Sequence, residues 1–142
     1  MIYRIIYLSS ATKLLSNNEL KNLLSNSKTK NITNEITGLL LYIDGDFLQV
    51  IEGNKKDVLN LFELIKTDNR NRFVIPVFSD FVEKRQFPDW SMGFSQLTYN
   101  ELKKNVEFEN ISKASLSNID DKVAIIFIDT FVKSHRHQIV FT

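Results

Sequence analysis

The sequence contains no cysteine and has only 4 glycines and 2 prolines. Without cysteine the chain can form no disulfide, no thiolate metal site and no cysteine nucleophile. The glycines form neither a G-x-G-x-x-G fingerprint nor a P-loop, so nucleotide phosphates have no dedicated cradle. The two histidines, His135 and His137, suit neither a helical zinc site nor a catalytic triad. We therefore expect no bound metal and no enzymatic activity.

The chain also lacks a charge excess and a long apolar run. Its 18 basic and 17 acidic residues leave a formal net charge of +1, which argues against nucleic acid or an acidic membrane surface as a partner. No apolar stretch approaches the length of about 18 residues that spans a bilayer. Residues 1–4 begin a strand-like run without a signal-peptide pattern, so we expect a cytoplasmic protein.

With 43% hydrophobic residues in 142, the chain can form a single core. Its periodicity predicts strands at 2–9, 38–43, 47–52, 73–81 and 92–97, and helices that begin after Ser16 and after Asn54. This β-α-β-β-α-β-β order predicts an α+β, ferredoxin-like fold with two helices on one face of a five-stranded sheet. In such a fold the first and third strands are neighbours, which would place Tyr7 beside Gln49.

The C-terminal third, residues 98–142, differs in character from the sheet-forming part, residues 1–97. A capping box at Thr98 predicts a short helix, and the polar stretch 105–118 is typical of a connection. Apolar residues in 119–134 recur at helical spacing, but the stretch is rich in β-branched residues, so helix and strand both remain open. One stripe is suited to cover the sheet face opposite the two helices: Val123, Ile126, Phe127 and Phe131.

Three polar side chains stand on faces that should be apolar: Tyr7, Gln49 and Asn31. Burying such a group without a partner costs about 1–3 kcal/mol. A bound heterocycle would explain all three, because amide side chains can both donate to and accept from its polar edge. Each also has an ordinary explanation: a tyrosine hydroxyl at the rim of the core, a glutamine facing water, and an asparagine capping a helix C-terminus.

Several stretches together resemble one family. They are residues 5–9, 36–40, 45–53, 68–70 and 85–94, together with Asn31. In this order and spacing they resemble the BLUF domain, a blue-light sensor that uses flavin, over about residues 2–97. The resemblance implies a non-covalently bound flavin, with FAD as the usual cofactor and FMN or riboflavin as alternatives.

The resemblance assigns photoactive roles to four residues. Tyr7 matches the redox-active partner of the photoexcited flavin, and Gln49 matches the glutamine that bridges this tyrosine and the ring. Trp90 and Met92 match a pair near the glutamine whose positions are linked to signalling. The implied photocycle transfers an electron and a proton from Tyr7, returns them, and leaves Gln49 rearranged with a new bond to the flavin C4 carbonyl, which gives a reversible red shift.

The resemblance also implies cofactor contacts. Asn31 matches the asparagine that binds the pyrimidine edge of the ring, and Ser27 matches a hydroxyl residue near it. Asp68 and Arg70 match polar contacts at the end of the second helix. Two further contact positions depart from the family pattern: Lys30 stands where histidine or asparagine is usual, and Asn71 where histidine is frequent.

Finally, the chain resembles short BLUF proteins in which helices after the sensor pass on the signal. We expect residues 1–97 to be the flavin-binding sensor and residues 98–142 to be a helical cap and output segment. Partners would be flavin, an unidentified protein bound through this segment or the sheet face, and a second copy in a homo-oligomer. The alternative function is a flavin-free interaction or scaffold domain of the same fold.

Overall fold

The computed structural model describes residues 1–139 and contains five strands and five α-helices in that range. The elements are β1 (Ile2–Ala11), α1 (Asn17–Asn34), β2 (Thr37–Ile43), β3 (Asp46–Gly53), α2 (Lys55–Thr67), β4 (Asn71–Val82), β5 (Gly93–Leu97), α3 (Tyr99–Lys103), α4 (Lys113–Ser117) and α5 (Asp121–His135). The sheet order is β4-β1-β3-β2-β5, antiparallel except for the β2–β5 pair. The predicted α+β, ferredoxin-like fold is confirmed.

Local sequence signals explain where these elements begin and turn. Ser16 forms the predicted capping box with Glu19 at the start of α1, and the Asn54 side chain caps α2. Asp44 and Gly45 have φ angles of 47° and 88°, which is the left-handed pair of a tight hairpin between β2 and β3. Glycine adopts this angle without strain, so the hairpin sets the register of β3 against β2.

The register of β1 against β3 places Tyr7 directly opposite Gln49. Because side chains alternate across a strand, both residues lie on the face that α1 and α2 cover, together with Ile5 and Ile51. The opposite face carries a second apolar cluster that includes residues of the C-terminal helices. The predicted pairing of Tyr7 and Gln49 is therefore present in the structure.

The C-terminal segment packs on this opposite face, and the open choice for residues 119–134 is settled as a helix, α5. The stretch 105–118 is more ordered than a simple connection, since it contains a 3-10 turn at Val106–Phe108 and the helix α4. Residues 140–142, which complete the predicted segment 98–142, lie outside the described residues. Within residues 1–139 no helix is both long and apolar enough to cross a membrane.

The predicted packing stripe of α5 is half wrong. Phe127 and Phe131 are buried as expected, but Val123 and Ile126 are 50% and 63% exposed. The helix presents a neighbouring face instead, and that face also buries Ala124, Ile128 and His135. Apolar residues occur around most of α5, so more than one stripe satisfies the helical spacing and only the tertiary packing selects between them.

Substitutions at buried and at exposed positions of α5 should differ sharply in their effect on the free energy of unfolding. Phe131 is fully buried, so Phe131→Ala should lower the free energy of unfolding by about 3–5 kcal/mol. Ile126→Ala is the matched control on the exposed side of the same helix and should change it by less than about 0.5 kcal/mol. Urea unfolding of both variants measures this difference, and equal losses would contradict the packing of α5 described above.

Candidate functional site

A cavity opens between α1, α2 and the sheet. It is lined by side chains from both helices, from the four strands β1 to β4 and from the loop after α2. These are Tyr7, Leu23, Asn26, Ser27, Lys30, Asn31, Leu40, Phe47, Gln49, Leu61, Leu64, Ile65, Asp68, Arg70 and Asn71. The cavity therefore brings together, around one space, two of the predicted photoactive residues and every residue predicted to contact a cofactor.

Tyr7 and Gln49 form a buried hydrogen-bonded pair at the floor of the cavity. The Tyr7 hydroxyl donates to Gln49 Oε1, and Gln49 Nε2 lies 3.4 Å from the sulfur of Met92. Tyr7 is 4% and Gln49 7% exposed, so neither the rim position nor the water-facing position applies. Burial, and secondarily the charge of Asp68, raises the pKa of Tyr7 well above its usual value. The phenol is therefore a neutral donor over the physiological pH range.

Gln49 occupies a position where its amide can be turned. Its carbonyl oxygen accepts from a strong donor, whereas the one acceptor that its Nε2 contacts within residues 1–139 is a thioether, which is a weak acceptor. Reversing the amide would exchange these two ends and change which neighbour receives a hydrogen bond. The Gln49 side chain can therefore adopt two arrangements of its hydrogen bonds with the same neighbours.

Asn31 is buried in the last turn of α1 and does not cap the helix. The C-cap is Glu35, whose φ angle is 54° and whose N–H donates to the backbone oxygen of Asn31. The Asn31 side chain instead donates through Nδ2 to the backbone oxygen of Ser91, at 2.7 Å. Asn31 thus links α1 to the segment that precedes β5, while it also lines the cavity.

Asp68 and Arg70 lie at one end of the cavity and bind each other. Arg70 Nη2 and Nε donate to the Asp68 carboxylate at 2.5 and 3.0–3.1 Å, and these bonds hold the pKa of Asp68 below its usual value. The pair is partly exposed, as a solvated surface pair would be. Its position on the cavity wall nevertheless keeps both side chains beside the space that Tyr7 and Gln49 face.

The remaining predicted contacts differ in how far their polar atoms are satisfied. Ser27 donates to the backbone oxygen of Leu23, and Lys30 is exposed. Asn71 donates to the backbone oxygens of Ile65 and Asp68, but its Oδ1 is buried and has no hydrogen-bond partner within residues 1–139. This buried acceptor is available to a donor group on a ligand.

The predicted pair Trp90 and Met92 is divided between the two faces of the sheet. Met92 is 1% exposed and packs on the Gln49 side. Trp90 belongs to the opposite cluster, where it stacks on Phe87 at 5.2 Å and lies under the guanidinium of Arg136 at 5.4 Å. Both residues precede β5, where no strand alternation determines which way a side chain points.

The walls of the cavity suit a flat, partly polar molecule. Leucine, isoleucine and phenylalanine side chains line the space between the helices, and amide and hydroxyl groups stand at its floor and ends. In α1 only Leu20 and Asn31 are buried, so Leu23, which lines the cavity, remains partly exposed. Apolar walls with a few placed polar groups are typical of small-molecule sites.

Among the lining residues that sequence reasoning did not assign to the site, Asn26 and Leu64 could have been found from helical spacing. Asn26 lies four residues before Lys30 on α1, and Leu64 lies four residues before Asp68 at the end of α2. Residues at that spacing share one side of a helix. Within residues 1–139 no cluster of three histidine or acidic residues is placed to hold a metal ion.

Comparison with known proteins identifies the family. Residues 2–93 match the family model of BLUF domains, described as sensors of blue light using FAD. The photoactivated adenylate cyclase subunit beta of Euglena longa is 33% identical over 87 residues, which are 61% of this chain and 10% of that protein. The chain therefore spans about a tenth of the length of this curated relative. The blue light- and temperature-regulated antirepressor BluF of Escherichia coli is 25% identical over 126 residues, 87% of this chain and 31% of that protein.

Solved structures agree with this match. The dark-state structure of the BLUF protein BlrB is 26% identical and has a TM-score of 0.67, with 87% of this chain and 91% of BlrB covered. The ground state of BlsA, at 23% identity and a TM-score of 0.77, covers 91% of this chain and 86% of BlsA and supports the fold alone. With the family model matching well over half of its length, the chain belongs to the BLUF family of flavin-using blue-light sensors.

Proposed function

We propose that this chain is a photoreceptor in which Tyr7 and Gln49 respond to a bound flavin, with FAD as the cofactor, and that it acts as a sensor and not as an enzyme. The observation that carries the proposal is the buried contact series from Tyr7 through Gln49 to Met92 at the floor of the cavity. FMN and riboflavin remain alternatives, because all three flavins share the ring that the residues at the buried end of the cavity would hold.

The residues present fit an isoalloxazine ring. Asn31 and Gln49 supply amide groups at the buried end, and the orphan Oδ1 of Asn71 supplies a further acceptor. Leu40, Ile65 and other apolar side chains would lie against the faces of the ring. Lys30 at the surface provides positive charge for the phosphates of FAD, and Arg70 does so only in part because Asp68 already binds it.

The proposed photocycle uses the protein's own groups as follows. A bound flavin would supply an electron and proton acceptor when it is excited by blue light. Tyr7 would give an electron and its hydroxyl proton to that acceptor, so the bond that it donates to Gln49 Oε1 would be lost. While that bond is absent the Gln49 amide is free to reorient. When the electron and the proton return to Tyr7, Gln49 would be left with its hydrogen bonds rearranged, and no net chemistry would have occurred.

We further propose that residues 1–97 are the sensor and residues 98–142 the output segment. Gln49 contacts Met92, and the segment that leads to Met92 also contacts α5, where Gln86 Nε2 donates to Asp129 Oδ1 at 2.5 Å. Rearrangement at Gln49 would then move this segment and alter the packing of α5. Two of the relatives are a photoactivated adenylate cyclase subunit and a blue light- and temperature-regulated antirepressor.

The partner of this chain is proposed to be a protein that contacts the C-terminal segment or the sheet face, with a second copy of the chain in a homo-oligomer. Location in the cytoplasm stays a prediction. A flavin-free scaffold domain is the second candidate. The polar groups gathered around the cavity favour the sensor, because a scaffold has no need to bury Tyr7, Gln49 and Asn31 around one space.

The absorption spectrum tests the proposed function. Protein purified with FAD should show a flavin spectrum in the dark, a small red shift after blue light and recovery in the dark. The unshifted spectrum should return fully, because no covalent bond forms in the proposed cycle. A flavin that only bleaches, or a protein that takes up no flavin, would contradict the proposal.

Tyr7→Phe tests the role of the phenol. The variant should bind flavin as well as the wild type, because the ring of Tyr7 stays in the core, but it should form no stable red-shifted state. Tyr3→Phe is the matched control, since its hydroxyl contacts Ser79 on β4 and does not line the cavity. A normal red shift in Tyr7→Phe would show that another residue is the electron donor.

Asn31→Ala tests the buried end of the cavity. Removing a hydrogen-bonding group that faces the ring should weaken flavin binding by about tenfold, corresponding to a lost bond of roughly 1.4 kcal/mol. Asn22→Ala is the control on the exposed side of α1 and should leave the dissociation constant unchanged. Fluorescence titration with FAD measures both. Equal affinities for the two variants would exclude Asn31 from the ring contacts.

A further inference from the structure

Residues 83–92 join β4 to β5, and we call them the connecting segment. Because β4 and β5 lie at opposite edges of the sheet, this segment has to cross from one edge to the other. Arg85 Nη1 donates to Thr37 Oγ1 at 2.8 Å, and the N–H of Gly38 donates to the oxygen of Trp90 at 3.0 Å. The side chain of Asn31 holds the next residue, Ser91.

A buried carboxylate provides the remaining grip on this segment. Glu52, near the end of β3, is 0% exposed. Its Oε1 accepts from the N–H of Gln86 at 3.1 Å, and its Oε2 accepts from the N–H of Phe87 at 3.2 Å. Each oxygen therefore holds one of two successive backbone donors, which fixes the position and direction of the chain at this point.

Glu52 and Gln49 lie on the same strand but on opposite faces, because their positions differ by three, an odd number. Glu52 binds the connecting segment at Gln86 and Phe87, whereas Gln49 meets it at Met92. Strand β3 thus contacts the segment at both ends of the stretch from 86 to 92. Glu52 does not line the cavity, so it can be altered without removing a side chain that faces the ring.

We propose that Glu52 is a positioning residue of the photocycle, whose carboxylate clamps the connecting segment and thereby sets how Met92 meets Gln49. This inference rests on the proposed function, because the position of Met92 matters only if Gln49 rearranges. Loosening the clamp changes the relative stability of the two arrangements of the Gln49 amide, and therefore changes the rate at which the red-shifted state returns to the dark state.

The charge on Glu52 gives the clamp a pH dependence. Two cations face the carboxylate: Arg4 of β1, whose Nε lies 3.6 Å away, and Arg85 of the connecting segment, which donates to the backbone oxygen of Glu52. Burial nevertheless raises the pKa of Glu52 above its usual value, against the lowering by the two backbone donors and the arginines. Glu52 therefore takes up a proton at a higher pH than an exposed glutamate, and the proton occupies one of the two accepting oxygens.

The experiment compares dark recovery in flavin-loaded wild type, Glu52→Gln and Asp46→Asn. Asp46 is the matched control, a buried carboxylate at the other end of β3 that holds Tyr99 and Lys113 and not the connecting segment. Glu52→Gln should change the recovery rate by about threefold or more, as expected for one lost hydrogen bond. Asp46→Asn should stay within about twofold of the wild type.

The pH profile separates positioning from a merely structural role. As the pH falls and Glu52 takes up a proton, the wild-type recovery rate should change in one step toward the Glu52→Gln rate. The Glu52→Gln rate should show no step, because this variant has no carboxylate at position 52. Glu52→Asp, which keeps the charge but is too short to hold both donors, should change the rate at neutral pH and keep the step. If Glu52→Gln does not fold, Glu52→Asp and the wild-type profile decide the question.

Two results would overturn the proposal. One is a Glu52→Gln recovery rate equal to that of the wild type, and the other is a wild-type profile without a step while the protein stays folded. In both cases, if the wild type still shows a normal red shift, only the role of Glu52 is contradicted and the proposed photoreceptor function is not. A wild type that binds flavin and shows no red shift contradicts the proposed function itself, so the two failures are distinguishable.

Discussion

The antiparallel register of β1 against β3 is the constraint on which the site depends. It places Tyr7 opposite Gln49, and their side chains meet in a buried hydrogen bond. A slip of one residue would send one of the two to the other face of the sheet, because side chains alternate along a strand. The register is secured by the apolar residues on both faces, since Ile5 and Ile51 pair on one face and Ile6 and Val50 on the other.

Strand β3 is buried along its whole length and yet carries three polar side chains besides its backbone groups. Each of them has found a partner on a different element. Asp46 accepts from Tyr99 and Lys113 of the C-terminal segment, Gln49 accepts from Tyr7, and Glu52 accepts from the connecting segment. Leaving any of these groups without a partner would cost about 1–3 kcal/mol, so each contact is strongly favoured.

This arrangement gives a physical reason why a change in the hydrogen bonds of Gln49 would affect residues that pack on the opposite face of the sheet. The central strand is in contact with the cavity on one face and with the connecting segment and C-terminal helices on the other. A tightly packed strand does not absorb a change in its hydrogen bonding by local disorder, because the interior has little free volume. In the proposed photocycle the change would be passed to the connecting segment, which contacts β3 at Gln49 and Glu52.

Sequence patterns predicted the order of elements because capping boxes, the Asp44-Gly45 turn and the strand periodicity are local signals. Tyr7, Gln49 and Asn31 could be found because a polar residue in an apolar pattern is visible in the sequence alone. The facing side of α5 could not, because Ala124 and Val123 both satisfy helical spacing and only packing separates them. The separate locations of Trp90 and Met92, and the donors bound by Glu52, depend on an irregular segment that no periodicity describes.

The proposed photocycle requires that light change the hydrogen bonding of the Gln49 side chain. The most direct measurement is the light-minus-dark infrared difference spectrum of flavin-loaded protein with and without isotope-labelled glutamine side chains. The proposed rearrangement should give a lowered C4 carbonyl frequency of the flavin together with glutamine bands that shift on labelling and vanish in Gln49→Leu. A red-shifted state whose difference spectrum contains no glutamine band would contradict it.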